Sequence, residues 1–275
     1  KQAEKIQTMP QGYYRFRETQ EMMKMIQNQI PISKIDYLVE FINIPRTLMS
    51  SFFDLSFGFR QGLFLIPTFR KEFKNAFTKQ FKMFVHEKGY EQVMDEVIKN
   101  PDFQLAESAG LAFTDVAGGL NVAEERYMAT ALLEKIPGLG QGVRATARAY
   151  TGMANKMRMD IFSTMVKDAE RLGLDPKSNK ELLENIASFV NHGTGRGSIK
   201  GLERAAQVTN ALFFSPRLMY SRLQLLNPVY YIKQDPFTRK QAVKSLMAFA
   251  GTITSILAVA KLAGLEVGID PRSAD

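Results

Sequence analysis

Residues 69–82 read Phe69-Arg-Lys-Glu-Phe73-Lys-Asn-Ala-Phe77-Thr-Lys-Gln-Phe81-Lys82, with a phenylalanine at every fourth position. A spacing of four keeps side chains on one slowly drifting face of an α-helix, and the basic residues lie beside that face. The pattern predicts a helix over 68–87 whose rings form a packing seam against other helices or another subunit. Insertion of the rings into a membrane interface is the alternative, because interfacial helices pair aromatic and basic faces. The predicted membrane- or partner-facing stripe consists of Phe69, Phe73, Phe77, Phe81 and Phe84.

Helical periodicity runs through most of the chain, whereas the alternation typical of strands never persists beyond a few residues. The sequence therefore predicts an all-α protein, an extended multi-helix segment of a much larger polypeptide. We expect a Phe-rich basic region over 1–100, a neutral region over 101–198 that ends in a glycine-rich break, and a basic region over 199–275 with an apolar helix. The predicted helices cover 15–29, 34–43, 46–57, 68–87, 90–99, 122–135, 143–172, 178–191, 199–214, 216–226 and 236–264, with a loop over 137–142 and an irregular stretch over 103–121.

The composition argues against a metal centre or a redox cofactor. The chain has no cysteine and only two histidines, His86 and His192, which lie far apart in the sequence. Disulfides and thiolate ligands are thus excluded, and so few imidazoles make a zinc or di-iron site unexpected. We predict no cofactor and no metal.

Charge is distributed unevenly along the chain, which has a net charge of +8. Residues 1–100 and 201–275 each carry a net charge of +4, and residues 101–200 are neutral. Two basic ends suit contact with phosphates or with an anionic membrane surface. Ordinary solubility is an equally good explanation of this modest excess.

The apolar helix near the carboxyl end contains no charge over residues 245–260, and Lys244 and Lys261 bracket it. Because a bilayer core needs about 20 apolar residues, we expect this stretch to be a buried helix in a large assembly. A membrane span with snorkelling lysines is the alternative. The predicted apolar positions are Leu246, Phe249, Ile253, Ile256 and Leu257.

The sequence Gly193-Thr-Gly-Arg-Gly197 has the glycine spacing and the cation of a phosphate cradle. It lacks the Gly-Lys-Ser/Thr ending of a nucleotide-binding P-loop and follows a helix, not a strand. A helix C-terminal cap with a turn explains the glycines better. Arg196 and Lys200 are the candidate anion contacts.

Several longer stretches, scattered from about residue 44 to the end, resemble blocks of one family. That family is the large polyvalent proteins of tailed phages, which include the internal virion or ejection proteins of short-tailed phages. The stretches are Phe53-Asp-Leu-Ser-Phe-Gly-Phe-Arg-Gln-Gly62, Pro67-Thr-Phe-Arg-Lys-Glu-Phe73, Ala109-Gly-Leu-Ala-Phe-Thr-Asp115, Arg148-Ala-Tyr150-Thr-Gly-Met-Ala-Asn-Lys156-Met-Arg158, Asn191-His-Gly-Thr-Gly-Arg-Gly197, Phe213-Phe-Ser-Pro-Arg217, Leu223-Gln-Leu-Leu-Asn-Pro228 and Ile269-Asp-Pro-Arg-Ser-Ala-Asp275.

The resemblance implies a helical, structural segment of a polypeptide carried inside the capsid or neck and expelled with the genome into the host periplasm or envelope. It implies portal, tail or other ejection proteins as partners, together with self-association, and it allows packaged DNA and the host membrane. Helping DNA delivery across the envelope is the function we expect.

Two other functions stay open from the sequence. The first is a DNA-binding or packing module, in which phenylalanine rings could stack on bases, although no motif of such modules is present. The second is peptidoglycan cleavage, because Glu107-Ser108 is similar to the Glu-Ser pair of lytic transglycosylases. The supporting transglycosylase motifs are missing, so we predict that this segment is not an enzyme.

Overall fold

The computed structural model describes residues 62–113, 139–197 and 216–265, and these ranges contain helices and no strand. The predicted all-α class is confirmed. The division into three regions, with boundaries at 100 and 198, stays a prediction. The helices are α1 (Arg70–Val85), α2 (Glu87–Ile98), α3 (Phe103–Ser108), α4 (Leu139–Arg171), α5 (Lys180–Gly193), α6 (Pro216–Leu226), α7 (Pro228–Ile232) and α8 (Pro236–Leu262).

Most predicted helices in these ranges are confirmed to within three or four residues, and α6 has the predicted bounds. The loop predicted over 137–142 is wrong for residues 139–142, which form the first turn of α4. A glycine inside a helix costs about 1 kcal/mol, and the packing of a helix as long as α4 offsets that cost. The helices predicted over 15–29, 34–43, 46–57, 122–135 and 199–214 lie outside the described residues.

Two short helices were not predicted. Helix α3 lies in the stretch expected to be irregular, where its buried Ala106 contacts the core. Helix α7 is a single turn that begins with Pro228, and the Asn227 side chain accepts a hydrogen bond from the Val229 N–H. A proline at the first helical position and an asparagine before it are ordinary start signals, but a five-residue helix has too little periodicity to be recognised.

The long helix α4 forms the centre of the molecule. All residues from Ala149 to Met159 are buried, so this part of the helix is covered on every side. Helices α1 and α2 pack on α4, and α5 packs on it as well. A helix buried around its whole circumference is the core of a domain. The apolar core extends from Phe64 through α4 and α5 to Ala242 of α8.

Gly152 of α4 allows α1 and α2 to approach closely. A Cβ atom added at this glycine would lie 2.1 Å from the Met83 Sδ of α1 and 3.1 Å from the Tyr90 Cδ2 of α2. Both neighbours are buried. The hydrogen of glycine is therefore the only side chain that fits without a shift of these two residues.

Two cations of α4 are buried and are held by polar partners. The Lys156 Nζ lies 2.7 Å from the Asp160 Oδ1 and 3.6 Å from the Glu96 Oε2 of α2, and the Asn75 Nδ2 of α1 donates to the Asp160 Oδ2 at 2.8 Å. The Arg158 Nε donates to the Thr194 Oγ1 at 3.0 Å. Buried charges require such partners, so these bonds fix how the neighbouring helices sit on α4.

Replacing Gly152 by alanine should destabilise the fold by about 1–3 kcal/mol, because the new methyl group overpacks the contact with Met83. The control is Gly142→Ala, in the same helix, where an added Cβ meets no atom within 4 Å. There the change should be neutral or stabilising by up to about 1 kcal/mol, through helix propensity alone. Urea unfolding of both variants measures the difference. Equal effects at the two sites would contradict the close approach.

Replacing Asp160 by alanine should lower the free energy of unfolding by about 3 kcal/mol, since it leaves the buried Lys156 without its nearest carboxylate. The matched control is Asp168→Ala on the same helix, which removes an ion pair with the exposed Arg171. That pair lies in water, and its loss should cost less than about 1 kcal/mol. Thermal or urea unfolding compares the two, and a larger loss at Asp168 would refute the assignment.

Candidate functional site

The phenylalanines of the predicted stripe lie at different depths. Phe69 is buried, with its ring centroid 6.5 Å from that of Phe189, and Phe81 is 48% exposed. Phe73, Phe77 and Phe84 are partly buried and pack against the core. Within the chain, Phe69 packs in the core, three rings pack at its edge, and Phe81 contacts the Phe77 ring but is otherwise half in solvent. Whether the exposed part contacts a membrane or a partner stays a prediction.

The geometry of a helix explains this gradient. The positions of α1 that are fully buried are Ala76, Gln80 and Met83, spaced by four and then three residues. A spacing of four advances about 40° around the helix beyond each full turn, so an unbroken run of fours leaves the core side. Phe81, late in the run, has turned toward solvent for this reason.

The glycine-rich stretch is a helix cap and a docking point. Gly195 has a φ of +75°, and the N–H groups of Gly195 and Arg196 donate to the carbonyls of His192 and Asn191. This is the Schellman arrangement, so the interpretation as a C-terminal cap is confirmed. The Gly197 N–H donates to the Ser221 Oγ of α6 at 2.8 Å, which joins the turn to that helix.

These bonds use the backbone N–H groups that an anion bound at this turn would need. The N–H of Thr194 donates to the Val190 carbonyl, so each N–H from Thr194 to Gly197 has a protein acceptor. A phosphate cradle needs such groups free. Arg196 is itself buried, and the other candidate, Lys200, lies outside the described residues.

The residues considered for catalysis or metal binding are dispersed. Glu107 is exposed on the six-residue helix α3, and His86 is exposed between α1 and α2. His192 is half-buried, its Nδ1 lies 2.8 Å from the Ser188 carbonyl oxygen, and burial lowers the pKa of the imidazole. No group of three His, Asp or Glu side chains that could hold a metal ion occurs in the ranges that the structure describes.

The first half of α8 is docked on the body of the protein. The Asp235 side chain caps this helix by accepting from the N–H groups of Phe237 and Thr238 at 2.9 and 3.0 Å. Phe237, Thr238, Ala242 and Ser245 are buried, and α8 contacts α5 and α7. The face that α8 buries thus combines one aromatic ring with small and weakly polar side chains.

The second half of α8 projects from the body. Leu246 and Phe249 pack against the core, with the Phe249 ring centroid 5.8 Å from that of Phe64. Ile253 is half-buried, whereas Ile256 is 57% exposed and Leu257 is 43% exposed. Within the described chain α8 is therefore not buried at Ile256 and Leu257, and its burial in a large assembly stays a prediction.

The exposed half of α8 is uncharged around its whole circumference, since residues 250–260 contain no charged side chain. Among the described helices, α8 alone is long and apolar enough to cross a membrane. Of the 18-residue apolar stretch that meets this criterion, 11% is buried. A helix of this kind requires a surrounding of protein or lipid.

Exposed apolar side chains are concentrated near α8. Twelve of the sixteen large apolar side chains exposed in the described ranges lie between Met219 and Leu265. Sequence reasoning missed this surface on α6 and α7. The spacing of Met219, Leu223 and Leu226 marks an apolar face, but α6 carries a second apolar side, where Leu225 is buried, and periodicity does not tell which side faces inward.

No protein-family model matches this sequence, and neither a curated protein nor a solved structure shows significant similarity to it. Its function has to be inferred from its own side chains. The feature of the described residues that calls for a partner is the exposed half of α8.

The exposure of α8 can be tested by stability measurements alone. Phe249→Ala should lower the free energy of unfolding by about 1–3 kcal/mol, because it removes a ring packed on Phe64. Ile256→Ala, two turns further on, should change it by less than about 0.5 kcal/mol, because that side chain contacts little of the body. Both are truncations of a large apolar residue on one helix, measured by urea unfolding. A comparable loss at Ile256 would show that the second half of α8 is covered in the folded chain.

Proposed function

We propose that this chain is a structural segment of an internal virion (ejection) protein of a tailed phage, and that α8 enters the host envelope membrane during genome delivery. The resemblance of its sequence blocks to large polyvalent phage proteins suggests the setting. The exposed, uncharged half of α8 is the single observation that carries the membrane role.

The length and ends of α8 suit a bilayer. The 18 residues from Ser245 to Leu262 would span about 27 Å as a helix, close to the ~30 Å of a hydrocarbon core. A full span requires the docked residues Ser245, Leu246 and Phe249 to leave the body. Lys244 and Lys261 lie near the two ends of this stretch, where their ammonium groups can reach the headgroups along their aliphatic stems. Thr252, Thr254 and Ser255 donate their hydroxyl protons to carbonyls one turn earlier, which satisfies these hydroxyls within the helix.

The rest of the described chain suits a protein that has to be packed and then expelled. It has no disulfide to block unfolding, because it has no cysteine. Helical domains also generally refold faster than sheet domains. These properties support passage with the genome and recovery of the fold on the far side.

A DNA-binding role is the second candidate, and the charge distribution favours it. Residues 216–265 carry seven Lys or Arg and one Asp, whereas residues 62–113 carry seven of each sign. DNA binding through these cations would weaken steeply with added salt, because bound counterions are released. Membrane insertion of an apolar helix would depend much less on salt.

Flotation with liposomes tests the membrane role. The chain should float with vesicles that contain phosphatidylglycerol, and Ile256→Lys/Val259→Lys should abolish insertion, since each lysine inside a bilayer costs about 2.5–3.5 kcal/mol. The control is Leu172→Lys/Leu174→Lys, which changes two exposed leucines of the α4–α5 connection. Absence of the wild-type chain from the floated fraction would overturn the membrane role.

The phage setting needs a separate experiment. An antiserum against this segment should detect it in purified virions and, after infection, in the host envelope fraction. Detection only in infected-cell cytoplasm, with none in virions, would contradict the proposal. Salt titration against duplex DNA decides the second candidate, which requires affinity that falls as salt is added.

A further inference from the structure

We propose that α6, α7 and the first half of α8 form a lipid-facing surface that lies on an anionic membrane and holds α8 in place for insertion. This inference rests on the proposed function, because it names a second membrane contact beside α8. The surface, called here the outer apolar face, is defined by Met219, Leu223, Leu226, Val229, Ile232, Val243 and Met247, all of them exposed.

Helix α6 has apolar side chains on two sides. Ser221 and Leu225 are buried toward the body, and the Tyr231 hydroxyl of α7 donates to the Leu225 carbonyl at 2.5 Å. Met219, Leu223 and Leu226, spaced by four and three residues, share the opposite side and are exposed. A surface helix of a protein that stays in water presents polar residues there. The outward apolar side of α6 is thus available to a partner.

The docked half of α8 also has an outward apolar side. Phe237, Thr238, Ala242 and Ser245 are buried, while Val243 and Met247 are exposed and lie on the side opposite Thr238 and Ser245. Close contact through small residues such as Ala242 and Ser245, with larger apolar residues outside, also occurs in helices that pack within a membrane. Helix α7 contacts both α6 and α8, which makes the three helices neighbours, and the proposal joins their outward sides into one surface.

The cations on and beside this surface identify an anionic occupant. Lys240 and Lys244 share the outward side of α8 with Val243 and Met247, and Lys233 is exposed at the end of α7. None of these lysines forms an ion pair with a described residue. Arg239, in contrast, is used structurally, since it donates to the carbonyls of Tyr231, Ile232 and Gln234.

An anionic bilayer surface matches both properties at once. Apolar side chains among lysines insert into the boundary between headgroups and acyl chains, and the lysines contact the phosphates. DNA would use the lysines but leave the apolar side chains in water, and a second copy of this basic unit would bring like charges together. A lipid surface contacts both the apolar side chains and the lysines.

The test compares variants of the full chain for binding to vesicles of phosphatidylcholine with and without phosphatidylglycerol. Met219→Gln/Leu223→Gln/Leu226→Gln should weaken partitioning into the mixed vesicles by about tenfold or more, because three large side chains lose their transfer from water. Lys240→Gln/Lys244→Gln should weaken it by about tenfold and remove most of the preference for phosphatidylglycerol. All five residues are exposed, so both variants should fold, as circular dichroism will show.

The control is Leu172→Gln/Leu174→Gln, exposed leucines outside the outer apolar face, which should leave partitioning unchanged. If the α6 variant binds like wild type while Ile256→Lys/Val259→Lys does not, the inference fails and the proposed function stands. If the wild-type chain binds neither vesicle, both fail. Sedimentation without lipid tests self-association. If the wild-type chain is an oligomer and the α6 variant is not, the outer apolar face is a self-association surface and the inference fails.

Discussion

The burial of two cations in α4 is the constraint on which the rest of the fold depends. Lys156 and Arg158 lie within a stretch that is covered on every side, and a charge in such a place has to be paired or hydrogen-bonded. Their partners come from α2, from α4 itself and from the turn after α5. Helices that carry those partners have to pack at fixed positions, which makes α4 the reference for the body of the molecule.

The body and the carboxyl-terminal helices differ in what they expose. Around α4, large apolar residues are inside, and the ion pair between Arg171 and Asp168 lies in solvent. Helices α6 to α8 also bury large side chains, such as Leu225 and Phe237, but they expose a second set of large apolar residues, beside lysines that form no ion pair with a described residue. We interpret this second apolar side as the part that meets lipid in the proposed function.

The sequence predicted the helices well and their surroundings less well. Periodicity located α1, α5 and α8, because apolar spacing and cap residues are local signals. It did not show that Phe81 faces solvent. Each step of four residues advances about 40° around the helix beyond a full turn, and where such a stripe leaves the core depends on where the neighbouring helix lies. Periodicity also missed the buried state of Arg158, whose acceptor on Thr194 lies 36 positions away. For Ile256 the apolar pattern was read correctly, but the sequence cannot tell whether protein or lipid covers it.

A single tryptophan at position 256 tests the membrane account most directly, because the chain contains no other tryptophan. Ile256→Trp places the reporter in the exposed half of α8, and Leu172→Trp is the control on the body. With vesicles that contain phosphatidylglycerol, the account predicts a blue shift of the Ile256→Trp emission and quenching by bromine attached to the acyl chains, with neither change for Leu172→Trp. An emission that stays at its water-exposed wavelength and escapes quenching would contradict the central claim.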